Sequence, residues 1–189
     1  MANDRPLMQI VIGSTRPGRV GDAIGRWFDA LARDDASFEV ELVDLATVNL
    51  PLLDEPHQPE EHTYVHDHTR RWSETVSRAD AFVFVIPEYN HGVNAATKNA
   101  LDYLYVEWRD KPSAIVCYGG SSRGVRAAQA LKASLLAVKI PHAGDVAISL
   151  SATPVRDGHF EGDASLVRSA TRVLHELARL VAVYRPLRT

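Results

Sequence analysis

Met8-Gln9-Ile10-Val11-Ile12-Gly13-Ser14-Thr15-Arg16-Pro17-Gly18-Arg19-Val20 is a short apolar run that ends in a turn of glycines, hydroxyls and arginines. With Leu7, the residues Ile10, Val11 and Ile12 make a nearly continuous apolar segment, the pattern of a strand buried on both faces of a parallel sheet. A helix is expected from Arg19, because Val20, Ile24, Trp27, Phe28 and Leu31 recur at i, i+4, i+7, i+8 and i+11 along one face. The loop between strand and helix aims backbone amides, the Ser14 and Thr15 hydroxyls and two guanidinium groups at the positive end of a helix. That combination reads as a phosphate site.

Spacing separates the kinds of phosphate loop. A P-loop needs Lys and then Ser or Thr after its last glycine, and Gly18 is followed here by Arg19-Val20. A dinucleotide loop needs a middle glycine so that backbone touches the pyrophosphate, and Thr15 stands there. Asp44, where a ribose-binding acid could lie, reads as a cap at a strand end. What remains is Ser14, Thr15, Arg16 and Arg19 around a terminal phosphate, the guanidinium fork matching paired phosphate oxygens. A phosphomonoester such as that of FMN fits this loop better than a dinucleotide.

A chain of 189 residues is long enough to bury a sizeable core and is expected to form one domain, 1–189. Its 21 basic and 24 acidic residues leave a net charge of −3, which offers no basic surface for nucleic acid. Met1 to Pro6 lacks the apolar stretch of a signal peptide, and no apolar run approaches the roughly 20 residues of a membrane span. The expectation is a cytoplasmic protein without a membrane partner. The single cysteine, Cys117, sits in an apolar run and reads as a small core residue.

Phe38 to Asp44 alternates apolar and polar residues, as an edge strand does. Leu45 to Pro59 breaks every periodicity, yet Leu50-Pro51-Leu52-Leu53-Asp54-Glu55-Pro56 is too apolar for a solvated linker and is expected against a groove or a partner subunit. His57, His62, His66 and His68 cluster, and His62 and His66 would share a helix face. No metal-ligand spacing accompanies them, so no metal is expected. Val65, Thr69, Trp72, Val76 and Ala79 mark a helix ending before Asp80. Ala81 to Ile86 is the most apolar strand, expected to stop at Pro87 and lead through Glu88-Tyr89-Asn90-His91-Gly92, with Gly92 making the turn and Asn94 capping a helix to Tyr105.

Ser113 to Tyr118 reads as a fourth strand, followed by Gly119-Gly120-Ser121-Ser122-Arg123-Gly124 and a helix through Val138. Gly120 to Gly124 also matches the G-x-S-x-G nucleophile elbow, with Asp145 or Asp157 and His159 or His175 following in hydrolase order. The Gly-Gly pair between strand and Ser122 argues against that elbow. Val146 to Leu150 is a fifth strand, Ser151 to Gly162 a polar loop, and Leu166 to Tyr184 a final amphipathic helix. Five strands, each followed by a helix, imply an α/β fold, a doubly wound parallel sheet with helices on both faces and a ligand at the strands' carboxyl ends.

The three loops together resemble the NAD(P)H-dependent FMN reductase family of flavodoxin-like proteins, which includes quinone, azo-dye and chromate reductases. The resemblance implies that Ser14, Thr15, Arg16 and Arg19 hold the FMN phosphate. It implies that Pro87, Glu88, Tyr89, Asn90 and His91, with Tyr118, Gly119, Gly120 and Ser121, border the flavin ring. Asn94 and Thr97 depart from the family's pattern in the helix that follows and bear on packing near the flavin rim. NADPH or NADH would be the co-substrate, a small molecule the acceptor, and the two would react in turn with bound FMN. No catalytic acid or base is required, with His91 at most a proton donor at the rim. The family resemblance also implies a homodimer or homotetramer, which would account for the apolar Leu50 to Pro56. A flavodoxin-type electron carrier is the other reading of the same loops, and a serine hydrolase using Ser122 the third.

Overall fold

Ala81 through Ile86 are fully or almost fully buried, and the strand they form is the middle of the sheet. The structure, a computed structural model, describes residues 5–188, so the first four residues of the Met1 to Pro6 reading lie outside the described part. The elements run β1 (Leu7–Ile12), α1 (Gly21–Asp35), β2 (Glu39–Asp44), α2 (Leu45–Val48), α3 (Asp67–Ser77), β3 (Ala81–Tyr89), β4 (Gly92–Val93), α4 (Ala95–Asp102), β5 (Ser113–Gly119), α5 (Val125–Ala137), β6 (His142–Ser149) and α6 (Ala164–Tyr184). Five strands are parallel in the order β2-β1-β3-β5-β6, and β4 adds a short antiparallel partner to β3. This is the flavodoxin-like order, with helices on both faces. One core packs α1 and α6, through Ile24, Phe28, Leu174 and Leu177, against Ile10, Val83 and Val116. The opposite core packs Trp72, Leu101 and Leu131 against Val11, Phe84 and Ile115.

The chain runs from β1 to β2 on one side and returns to β3 on the other. The crevice between the carboxyl ends of β1 and β3 is therefore the switch point at which such sheets bind ligands. The phosphate-type loop opens directly onto it.

Several boundaries differ from expectation for identifiable reasons. The first helix starts at Gly21, not Arg19, because Arg19 N donates to Arg16 O at 3.1 Å and closes a turn first. β3 continues through Pro87 to Tyr89. Val85 O accepts from Gly13 N, so Pro87, two residues on, turns its missing N–H toward the side where β1 has already ended and no ladder bond is lost. The tight turn is made by Asn90 and His91, with φ of +49° and +66°, and not by Gly92; two left-handed residues form the turn that matches strand twist in a two-residue hairpin.

The aperiodic stretch after β2 begins with the four-residue α2, capped by Asp44 through a 3.0 Å bond from Ala46 N. The next helix begins at Asp67 and ends at Ser77, so Val65, His62 and His66 lie before it and share no helix face. α4 ends at Asp102, short of Tyr105, and β6 begins four residues before Val146. Leu50 to Pro56 lies on α4. Asn99 Nδ2 donates to Pro51 O at 2.6 Å, Asn99 Oδ1 accepts from Leu53 N at 2.9 Å, and Tyr103 Oη donates to Asp54 at 3.0 Å. Leu52 stays 80% exposed all the same.

Candidate functional site

Gly13 is the pivot of the first loop. Its N–H donates to Val85 O at 2.9 Å and its carbonyl accepts from Asn94 Nδ2 at 2.7 Å. A Cβ here would lie 2.1 Å from Thr97 Oγ1, so only glycine fits between β3 and α4. Thr97 in turn donates to Asn94 Oδ1 at 2.8 Å. Asn94 stands in the capping position of α4, but its side chain caps nothing; it is spent on the loop. The two departures from the family pattern therefore bear on the phosphate loop, and not on the flavin rim as expected.

Ser14 is buried, and its hydroxyl lies 3.0 Å from Tyr89 Oη at the tip of β3. Thr15, Arg16, Pro17 and Gly18 are exposed. The two arginines differ. Arg19 reaches Asp44 at 2.5 Å, while Arg16 has no acidic partner among the described residues. Tyr118 sends its side chain to the first turn of α1, where a Cβ on Gly21 would meet its hydroxyl at 2.6 Å. That buried hydroxyl has no hydrogen-bond partner. Burial pushes the Tyr118 phenol up, with the nearby Ser14 hydroxyl working the other way.

The second and third loops are tied together by Glu88. Its carboxylate accepts from Arg126 N at 3.0 Å and faces the Arg126 guanidinium at 3.3 Å, with the Glu88 side chain only 6% exposed. Burial alone would raise this acid, but the Ser122 hydroxyl and the Arg126 groups outweigh it and hold it below the usual range. Glu88 therefore neutralises the N-terminal turn of α5. Asn90 and His91 project at the hairpin tip, both exposed.

In the third loop a Cβ on Gly124, at φ +81°, would meet Tyr118 N at 2.5 Å, while Gly120 and Ser121 lie exposed at the rim. Ser122, three residues past the end of β5, is bonded to Glu88 and, among the described residues, to no histidine. His175 pairs with Asp35, and Asp145 with His142 and Lys132. His175 and Asp145 are thus held in separate ion pairs, and Asp157 and His159 lie in the backbone turn that Arg156 and His159 close, so this geometry does not support the hydrolase reading. Cys117 is buried, its thiol pushed up to about 12 by desolvation.

Among the described residues, no group of three or more metal-ligating side chains converges, and no helix is long and apolar enough to cross a membrane. The clustered histidines have separate neighbours: His57 faces Glu61 at 3.7 Å, His62 faces Glu107 at 3.3 Å, His68 faces Asp54 at 2.9 Å, and His66 stacks on His68.

The arrangement fits FMN on its own chemistry. A close-packed glycine, a buried hydroxyl, an orphaned phenol and a free guanidinium lie around the start of α1, and the hairpin and the third loop are joined to each other through Glu88 and Arg126. Periodicity and spacing brought the three loops to notice. They carried no sign of the Asn94–Gly13 bond, of the packing of Gly21 on Tyr118 or of the Arg19–Asp44 pair.

The sequence pattern of the family described as NADPH-dependent FMN reductase matches residues 7–154. An NAD(P)H-dependent FMN reductase of Schizosaccharomyces pombe is 40% identical over 126 residues, 66% of this chain and 63% of its own length. One of Saccharomyces cerevisiae is 35% identical over 152 residues, 75% of this chain and 79% of its own. An NADPH azoreductase of a Bacillus species is 32% identical over 149 residues, 78% of each chain. The chain thus spans less than two thirds of the first of these relatives. In fold, it is similar to the flavoenzyme NAD(P)H:(acceptor) oxidoreductase FerB of Paracoccus denitrificans, with a TM-score of 0.69 at 18% identity over 95% of this chain and 98% of that one. The matched stretch contains the glycine-pinned loop, the Tyr89–Gly92 hairpin and the Gly119–Gly124 turn, and on that match the chain belongs to the NADPH-dependent FMN reductase family.

Proposed function

We propose that this chain acts as one FMN-binding domain, 1–189, and is an FMN-dependent NAD(P)H oxidoreductase that reduces a small acceptor. The observation that carries the reading is the junction at the switch point: Gly13 is bonded to Asn94 and Ser14 to Tyr89, so the loop suited to a phosphate and the hairpin suited to a flat ring form one surface. Ser14, Thr15 and Arg16 would hold the phosphate, with Arg19 reaching it only by sharing its guanidinium with Asp44. Pro87 to His91 and Tyr118 to Ser121 would border the ring.

When bound, FMN would supply the redox chemistry that links NADPH or NADH to a quinone, azo compound, free flavin or metal oxyanion, the two substrates reacting in turn in a ping-pong cycle. The protein's part is placement. Amides around Asn90 and Gly120 would favour negative charge on the ring's polar edge. His91, exposed at the rim, would shape the acceptor site. The exposed Leu52 and Leu53, in the loop that lies over α4, would meet a second copy in a homodimer or homotetramer, in the cytoplasm.

Titration of the protein with FMN and with riboflavin, followed by steady-state NADPH oxidation with a small quinone, tests this. The expected result is tight FMN binding, far weaker riboflavin binding and sustained turnover. Equal affinity for the two flavins would overturn the phosphate assignment. FMN binding without quinone turnover would favour an electron carrier.

A further inference from the structure

The two ends of Tyr118 serve different places. Its backbone lies near the end of β5, beside the third loop, while its side chain belongs to the core that α1 and α6 build on one face of the sheet. β3 lies between β5 and β1, so the phenol crosses under that strand to reach the first turn of α1. Gly21 makes room for it. A Cβ there would stand 2.6 Å from the hydroxyl oxygen but 3.4 Å from the ring carbon that carries it, so it is the oxygen that the glycine accommodates.

A buried phenol loses its hydration and ordinarily recovers it through a partner. Tyr118 is 4% exposed, and its hydroxyl has no hydrogen-bond partner among the described residues. The groups that act on it are Ser14, Tyr89, Asp22 and Arg19, all gathered around the start of α1 and the hairpin tip. Burial pushes the phenol up, so its proton stays in place and is free to be donated.

Ser14 is the neighbour that can use it. A serine hydroxyl has one proton and two lone pairs, and Ser14 Oγ lies 3.0 Å from Tyr89 Oη. Its two phenolic neighbours differ in freedom: Tyr89 is 39% exposed at the hairpin tip, whereas Tyr118 is locked in the core. An incoming anion displaces the exposed phenol and leaves the buried one behind the serine.

We propose that Tyr118 is a positioning residue for the phosphate of FMN, its hydroxyl donating to Ser14 Oγ from the core so that the single Ser14 proton is held toward the phosphate. The inference rests on the reading under Proposed function. The phenol left without a partner in the flavin-free protein gains one when the phosphate arrives, and the effect acts on the phosphate alone.

The test is titration of the flavin-free protein with FMN and with riboflavin, in the wild type, Tyr118→Phe, Ser14→Ala and the double variant. Tyr118→Phe should weaken FMN binding roughly threefold to tenfold, as one neutral hydrogen bond does, and leave riboflavin binding in place. In the Ser14→Ala background it should add no further loss, because it acts through Ser14. The urea midpoint of flavin-free Tyr118→Phe should not fall, since the hydroxyl removed had no partner. An equal loss for both flavins, a loss that persists undiminished without Ser14, or a lower midpoint would each overturn the inference in favour of a packing role. Gly21→Ala is an independent check: it should weaken FMN binding in the wild type and much less in Tyr118→Phe, where the 2.6 Å contact is gone. Equal weakening in both backgrounds would count against the placement of the hydroxyl. A wild type that binds the two flavins alike overturns the parent reading and this one with it. One that separates them, with FMN affinity unchanged in Tyr118→Phe, overturns this inference alone.

Discussion

Asn94 Nδ2 donates to Gly13 O across 2.7 Å, joining residues 81 positions apart. The bond fixes the end of β1 against the start of α4. An adjacent contact, the 2.1 Å that a Gly13 Cβ would leave to Thr97 Oγ1, shows how little room the join has.

That closeness makes Gly13→Ala destabilising, on the order of 1–3 kcal/mol as overpacking costs go. Thr97→Ala removes the nearest clashing atom, so the double variant should recover part of the loss although Val85 O and Ile86 stay 3.3 Å away. Urea denaturation of the four proteins gives the coupling. Strict additivity would show that the loop yields instead of the side chain.

Arg16 and Arg19 should separate in their effect on FMN. A charge-assisted bond contributes about 1.5–3 kcal/mol, so Arg16→Ala is expected to weaken FMN binding by roughly tenfold to a few hundredfold. Arg19→Ala should cost less, because that guanidinium is already 2.5 Å from Asp44. Flavin fluorescence quenching measures both. Equal losses would mean that Asp44 releases Arg19 to the phosphate.

Ser122→Ala should leave NADPH-driven reduction nearly intact, since Ser122 supports the Glu88 carboxylate and touches no histidine among the described residues. Glu88 loses one donor and its acid should titrate higher. Ester cleavage that vanishes in Ser122→Ala would reverse the assignment.

Lys111 is buried, donating to Val76 O at 2.8 Å and Ser77 O at 3.0 Å at the end of α3. Burial, with Arg188 nearby, lowers its pKa from 10.5 to about 8. Between these two values the unfolded chain holds the proton and the folded one does not, so stability should rise with pH across that window. Below about pH 8 the fold carries a buried charge. The gain from pH 7.5 to 10 should be on the order of 1–3 kcal/mol larger in the wild type than in Lys111→Met. Equal slopes in chemical denaturation would place the lysine charged throughout.

The parallel strands were legible because burial on both faces leaves long apolar runs, as in Ala81 to Ile86, and the helices because Leu166 to Val181 keeps its period. The carboxyl-end loops were legible as glycine, hydroxyl and arginine clusters. Pro87 was misread because a proline's tolerance depends on which neighbouring strand has already ended, which no local pattern encodes. The Arg19–Asp44 pair and the Asn94–Gly13 bond connect segments 25 and 81 residues apart, so only the strand order brings them together. The turn at Asn90-His91 lacked its usual glycine, and the following Gly92 drew the attention instead.

Glu88 belongs to the hairpin, while the amide and guanidinium it accepts from belong to α5. The hairpin tip is therefore ordered when α5 docks, during folding, and not when a ligand arrives. The configurational entropy of shaping the crevice is lost before any encounter, so the affinity of an incoming planar ring is not reduced by it. Severing that tether with Glu88→Ala, which removes the acceptor of the Arg126 N–H, should leave the contacts available but slow flavin association, because most encounters would then meet a hairpin that still has to find its shape.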